Sequence, residues 1–222
     1  TALVDEGPHI TTFRIRTVMP LPAEFEWGDR WQRSDRMQNL IIDSYVSLRP
    51  GATRLEVKVN IHNVIDDHRL RVLLPSGASS ATRYLADSAF DVIDRPIALR
   101  EDNHLYREPE METRPQQSWT AVADAHQGLA VISEGLHESA VRDQPHRPIA
   151  LTLYRATRKT VLTDGQPEGQ LHQPLQFRFW IQPLMPDFNV TDLCRLGQQL
   201  ATGLQPSYLF AKDAAMHRSS DL

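Results

Sequence analysis

The chain has 222 residues, of which 41% are hydrophobic and 23% charged, a balance that suits one domain with a sizeable core and excludes a disordered tail. A formal net charge of −4 with a pI near 6.1 gives no chain-wide attraction to phosphate backbones or anionic lipid, so neither nucleic acid nor membrane is an expected partner. The single cysteine, Cys194, rules out an internal disulfide and any metal site built on cysteine pairs. No stretch approaches the roughly 18 to 20 consecutive apolar residues of a membrane helix. Thr1 to Gly7 has neither the basic start nor the apolar run of a signal peptide, and with no initiator Met the chain is expected to be a piece of something longer.

Taken in order, Phe13 and Ile15 open the first alternation, and Leu40, Ile42, Val46 and Leu48 carry the second. The most regular run is Arg54 to Val64, where apolar residues hold every odd position from 55 to 61, as in a strand with one wet face. Leu70, Val72 and Leu74 continue the pattern, and between these two runs Asp66-Asp67-His68 is expected to shape a hairpin turn. Apolar runs at Leu129 to Ile132 and Ile149 to Tyr154, bounded by Gly128 and Pro148, read as buried strands, and Phe177, Phe179 and Ile181 add another. At least seven strands are thus expected. Their connections carry turn chemistry at Arg49-Pro50-Gly51, Pro75-Ser76-Gly77, Gln144 to Pro148 and Thr163 to Pro167. The fold class is all-β, a sandwich or barrel treated as one domain over residues 1–222.

Two segments depart from the strand pattern. Glu101 to Gln117 is polar and without period, a long loop of the kind that is usually functional or disordered. After Asn189, a cap with Asp192 three residues on, Val190, Leu193, Leu196 and Leu200 recur at helical spacing and Gly203 follows as a stop. This is the one accessory helix, near the carboxy terminus; His217 to Leu222 reads as a frayed tail.

Chemistry is harder to find. His137-Glu138 begins a zinc signature that fails because position 141 is Val, where the second ligand should stand. Nine histidines are scattered singly, so no metal site is assigned. No Gly-x-Ser-x-Gly elbow, phosphate-cradling loop or dinucleotide fingerprint occurs, and Cys194 reads as a small core residue. The four tryptophans, Trp27, Trp31, Trp119 and Trp180, are expected in the core. Arginine outnumbers lysine 21 to 3, and several arginines (Arg14, Arg16, Arg69, Arg71, Arg155, Arg178) fall within strands, most of them to pair with acids and a minority free to aim a planar fork at an oxygen-rich ligand.

A series of short motifs goes further than any one of them. Leu55-Glu56-Val57 through Arg69-Leu70-Arg71-Val72, Ala86 to Ile93 with Arg95-Pro96, Gln117-Ser118-Trp119, Gly128 to Val131, Gly135-Leu136-His137-Glu138, Leu151 to Ala156 and Phe177-Arg178-Phe179 occur in one order. That order resembles the carboxy-terminal β domain of glycoside hydrolase family 38 α-mannosidases, bacterial branch, over about residues 40–204. Val4-Asp5-Glu6-Gly7 is similar to the end of the family's Asp-Glu-Gly segment, and the continuation departs from the family around Pro8.

The resemblance implies a large antiparallel β-sandwich of the galactose-mutarotase-like supersandwich type. It also implies a mannoside-cleaving parent, with mannosylglycerate, its 6-phosphorylated form or host α-mannosides as candidate substrates. The parent's zinc ion, aspartate nucleophile and acid/base carboxylate would lie in a catalytic barrel outside this chain, which carries no catalytic residue, no metal ligand and no cofactor of its own. Expected partners are other domains of the same chain and the α-mannoside, with homo-oligomer formation left open; the expected location is cytoplasmic. One site residue follows: Arg155, on the strand resembling the segment from which a family arginine reaches the sugar, is expected to emerge at a strand tip near Tyr154 and bind substrate. A free-standing carbohydrate-binding or structural sandwich is the alternative.

Overall fold

The computed structural model describes residues 1–28, 30–160, 163–164, 167–203 and 206; the tail from His217 and part of the Thr163 to Pro167 turn lie outside them. The chain opens with β1 (Ala2–Gly7), β2 (Ile10–Pro22), β3 (Phe25–Glu26), β4 (Gln32–Arg33), β5 (Met37–Leu48) and β6 (Leu55–His62). Then come β7 (His68–Leu74), β8 (Arg83–Asp87), β9 (Val92–Pro96), β10 (Arg114–Pro115), β11 (Trp119–Ala123) and β12 (Gly128–Ser133). β13 (Glu138–Val141), β14 (Ile149–Ala156), β15 (Lys159–Thr160), β16 (Thr163–Asp164), β17 (Pro174–Leu184) and the helix α1 (Val190–Thr202) complete it.

Period-two patterning sorts these strands into two layers. A nine-stranded sheet runs β1-β2-β5-β6-β17-β12-β11-β8-β9, and a four-stranded sheet runs β10-β13-β14-β7. In β6 the odd positions Val57, Val59 and Ile61 are buried and the even ones are exposed or half-buried, as alternation requires. They pair with Phe179, Phe177 and Leu175 of β17 and meet Leu70, Ile149 and Leu151 of the small sheet in one apolar core. The small sheet therefore lies face to face on the large one, and the fold is an antiparallel β-sandwich.

The opposite face of the large sheet carries a second core, in which Trp119, Ile132 and Trp180 pack under Leu193 of α1. The helix starts as its sequence dictates, with the Asn189 side chain accepting the Thr191 N–H, and stops at Gly203 with φ 68°. A Cβ at Gly197 would stand 2.6 Å from Trp119 Cδ1, so only glycine lets the helix sit this close. Trp119 and Trp180 are core as expected, but Trp31 is 65% exposed and Trp27 is only half-buried. That pair sits in the β3–β4 hairpin, outside both cores.

The large sheet is wider than its cover. Leu3, Phe13, Val46 and Val57 follow one another across β1, β2, β5 and β6, so all four share the core face. Val57 is buried, whereas Leu3, Phe13, Ile15 and Leu48 on that same face are exposed. The β1–β2 wing thus projects beyond the small sheet, closed by a tight turn at Pro8-His9 between the paired Gly7 and Ile10.

One expectation fails. Asp66-Asp67-His68 is not a hairpin turn, because β6 and β7 belong to different sheets and the segment crosses between them. Asp67 takes φ 54°, in the left-handed region, and its side chain turns inward.

Candidate functional site

Arg155 leaves the sandwich through an irregularity. Along β14 the register with β7 runs Leu151↔Val72 and Thr152↔Arg71, then jumps to Tyr154↔Leu70 and Arg155↔Arg69, so Leu153 is an extra, bulged residue. Unbroken alternation would put Arg155 on the face of Leu151 and Leu153; the bulge resets the phase. Tyr154 and Ala156 face the core, and Arg155 joins Thr152 on the outer face. β14 ends at Ala156, one residue beyond Arg155, so the arginine emerges near the strand's end as expected, and the bulge decides which side it takes.

There Arg155 meets a carboxylate. Its Nε and an Nη donate to Glu138 at 2.8 and 2.7 Å, Thr152 Oγ1 donates to the other Glu138 oxygen at 2.5 Å, and Arg69 stands 3.6 Å from that oxygen. Burial pushes the Glu138 carboxyl up, but the bonds from Arg155 and Thr152 outweigh it and hold it below its usual range. The half of the failed zinc signature that is present, Glu138, thus serves as an arginine anchor.

Arg155 also lines an open cleft of about 520 Å³ together with Phe25, Trp27, Arg33, His68 and Arg69. Phe25, Trp27 and Trp31 meet edge to face, with ring centroids 4.8 to 6.3 Å apart, and the Arg33 guanidinium lies over the Phe25 ring. The β3–β4 hairpin that carries these rings is moored from beneath by Arg158, which donates to Glu24 and Asp67 and to the Phe25 carbonyl. Aromatic faces beside guanidinium donors are suited to an oxygen-rich, partly apolar ligand such as a sugar. Sequence reasoning missed Phe25, Trp27, Glu138 and Arg158 as site residues: Phe25 and Arg158 meet across 133 positions, and Glu138, 17 positions from Arg155, is brought to it from the neighbouring strand.

No group of three or more His, Cys, Asp or Glu able to hold a metal ion occurs among the described residues, and no helix among them is long and apolar enough to cross a membrane. Cys194 is partly buried against the second core, which pushes its thiol pKa up.

Fold and cleft together define a two-layer antiparallel β domain with an aromatic- and arginine-lined cleft on its outer face. Residues 6–167 match the family model for the glycosyl hydrolases family 38 C-terminal domain, and the chain belongs to that family. It is 29% identical over 124 residues to the "Putative mannosylglycerate hydrolase" of Halalkalibacterium halodurans, a match covering 56% of this chain and 13% of that one. An α-mannosidase from Enterococcus faecalis V583 superposes with a TM-score of 0.75 at 25% identity, over 90% of this chain and 23% of its own. A second family 38 structure from Enterococcus faecalis shares the fold, with a TM-score of 0.72 at 24% identity over 90% of this chain and 24% of the other. The chain spans less than a quarter of the length of each of these proteins.

Proposed function

We propose that this domain supports and walls the active site of an α-mannoside-cleaving enzyme whose catalytic barrel lies elsewhere in the parent chain, and that Arg155 binds the substrate. The observation that carries the reading is Arg155 itself: family membership places the domain, and the bulge at Leu153 turns a strand guanidinium out of the core onto an aromatic cleft. Held by Glu138 on one side, the fork has further N–H groups with no acceptor among the described residues, and these would orient sugar hydroxyls. Mannosylglycerate, its phosphorylated form and host α-mannosides fit this reading equally. On this reading the parent's zinc belongs to the catalytic barrel. The exposed Leu3, Phe13, Ile15 and Leu48 are the surface on which other domains of the same chain would rest, and the severed domain is expected to self-associate in size-exclusion chromatography. Cytoplasmic location belongs to the same reading.

The test is Arg155→Lys in the intact enzyme, which keeps the charge and loses the fork. A fall in kcat/KM worth roughly 1 to 3 kcal/mol at unchanged melting temperature is expected. Wild-type kinetics, or a loss that merely follows a lower melting temperature, would return Arg155 to a structural ion pair. The isolated domain should turn over no mannoside with or without added zinc. One observation favours a second reading, a free-standing carbohydrate-binding module: Trp31 is largely exposed beside Phe25 and Trp27. Calorimetric titration of the isolated domain with mannosides separates the two, since a wall element binds sugar weakly or not at all.

A further inference from the structure

The outer face of the small sheet holds more positive charge than it can pair. Arg69 and Arg71 of β7, Arg155 of β14 and Arg142 just beyond β13 face two carboxylates, Glu138 and Glu112. Glu138 is occupied by Arg155 and Thr152, with Arg69 3.6 Å away. Glu112 takes the Arg142 Nε at 3.3 Å. Arg71, opposite Thr152 in the register, is left with no ion pair and no hydrogen bond among the described residues, and one of its Nη atoms is shielded from solvent without an acceptor. Burial, and then the nearby Arg69 and Arg142, push the Arg71 pKa below its ordinary value, and the attraction of Glu112 and Glu138 only partly offsets them.

Such an arrangement costs stability as it stands. A guanidinium carries five N–H donors in a fixed fork, and shielding one from water without an acceptor forfeits its hydration for nothing. The covering segment is itself anchored here, since Arg69 donates to Thr113 at 3.2 Å and Arg142 to Glu112, so the long 101–117 loop is pinned to this face close to Arg71. A planar fork backed by two further cations beneath a pinned loop is what a tetrahedral or planar oxyanion requires.

We propose that Arg71, flanked by Arg69 and Arg142, is the centre of an oxyanion-binding site between β7 and the 101–117 loop, taking a phosphate or carboxylate group. The site does not depend on the mannosidase reading. Glu112 competes with the ligand for Arg142, so affinity is expected to fall when an anion must share that arginine and to rise in Glu112→Gln.

The experiment follows the melting temperature of the intact protein in inorganic phosphate and, separately, in acetate at constant ionic strength, for wild type, Arg71→Met and Arg83→Met. Arg83 pairs with Asp94 on an exposed strand of the other sheet and controls for general salt effects. Wild type and Arg83→Met should be stabilised by at least one of the two anions. Arg71→Met should weaken that binding at least tenfold, and without anion it should melt no lower than wild type because an unpaired, part-shielded cation has been removed. A response to acetate as well as phosphate assigns the site to carboxylates generally; a response to phosphate alone assigns it to phosphate. An unaltered response in Arg71→Met overturns the proposal. So does a lower melting temperature of Arg71→Met in anion-free buffer, since Arg71 would then be paired within the intact protein.

Discussion

Two polar constellations adjoin the start of β7, and they are built to opposite rules. Around Asp67 the carboxylate is saturated with donors: Arg158 donates to it through Nε and an Nη at 3.1 and 2.8 Å, Gln170 through its amide at 2.8 Å, and the backbone N–H groups of Phe25 and Arg158 at 3.3 Å. The Asp67 N–H in turn reaches Gln170 Oε1, and neighbouring Asn63 bonds the carbonyls of Ile65 and Gln170. A few residues along, the face carrying Arg69, Arg71, Arg142 and Arg155 has four guanidiniums for two carboxylates. Similar side chains therefore close a buried cluster where donors and acceptors balance, and leave cations in excess on the outer face where they do not.

The comparison breaks if the closed cluster proves dispensable. Asp67→Ala leaves Arg158 and Gln170 facing a buried gap, and a loss of about 3 to 5 kcal/mol is expected in chemical denaturation. A cost below that of a surface substitution would show that the cluster does not hold the crossover.

The next effect is read by acid. Burial pushes the Asp67 carboxyl up, yet the bonds from Arg158 and Gln170 outweigh it and bring its pKa down to about 2 from 3.8. A depressed carboxylate stabilises the fold above its unfolded pKa, so the contribution, on the order of 2 kcal/mol, is fully present at neutral pH and disappears as pH falls from about 4 through 2. Denaturation curves of Asp67→Asn should lack that part of the acid dependence, whereas Arg155→Lys should retain it.

Smaller effects sharpen the boundary between the two regions. The Tyr154 hydroxyl donates to Asn63 Oδ1 at 3.2 Å and meets His68 Nε2 at 2.8 Å, and its ring stacks on Phe177. Tyr154→Phe keeps the ring and is expected to cost about 1 kcal/mol in melting experiments, which places Tyr154 with the closed cluster. Its chain neighbour Arg155 belongs to the open face: Arg155→Lys should change stability by under about 1 kcal/mol, since its pair with Glu138 is half exposed.

What the sequence disclosed follows from the same distinction. Alternation at Leu55 to Ile61 and at Phe177 to Ile181 is a local consequence of one buried face, and both strands lie where the pattern puts them. The helix is equally local, since Asn189 and Gly203 sit at its own ends. Glu138–Val141 and Arg83–Asp87 are too short, and too mixed in polarity, for a period to show. Asp67 misleads because three polar residues between two strands look like a turn, while the partner that draws the carboxylate inside, Arg158, is 91 residues away. The candidate site was half legible: the chain order of its motifs pointed to Arg155, but its anchor Glu138 and the rings of Phe25 and Trp27 arrive from other strands.

The bulge at Leu153 has a consequence for how this domain varies in length. It divides β14 into two phases, so that counting forward from Ile149 gives the wrong side for Arg155 and counting back from Ala156 gives the right one. Leu153 behaves as a removable spacer in a reading frame of side chains. A relative one residue shorter at this point would lose the bulge and still present its guanidinium outward. A relative one residue longer, without a second bulge to absorb the addition, would turn that guanidinium into the apolar interior.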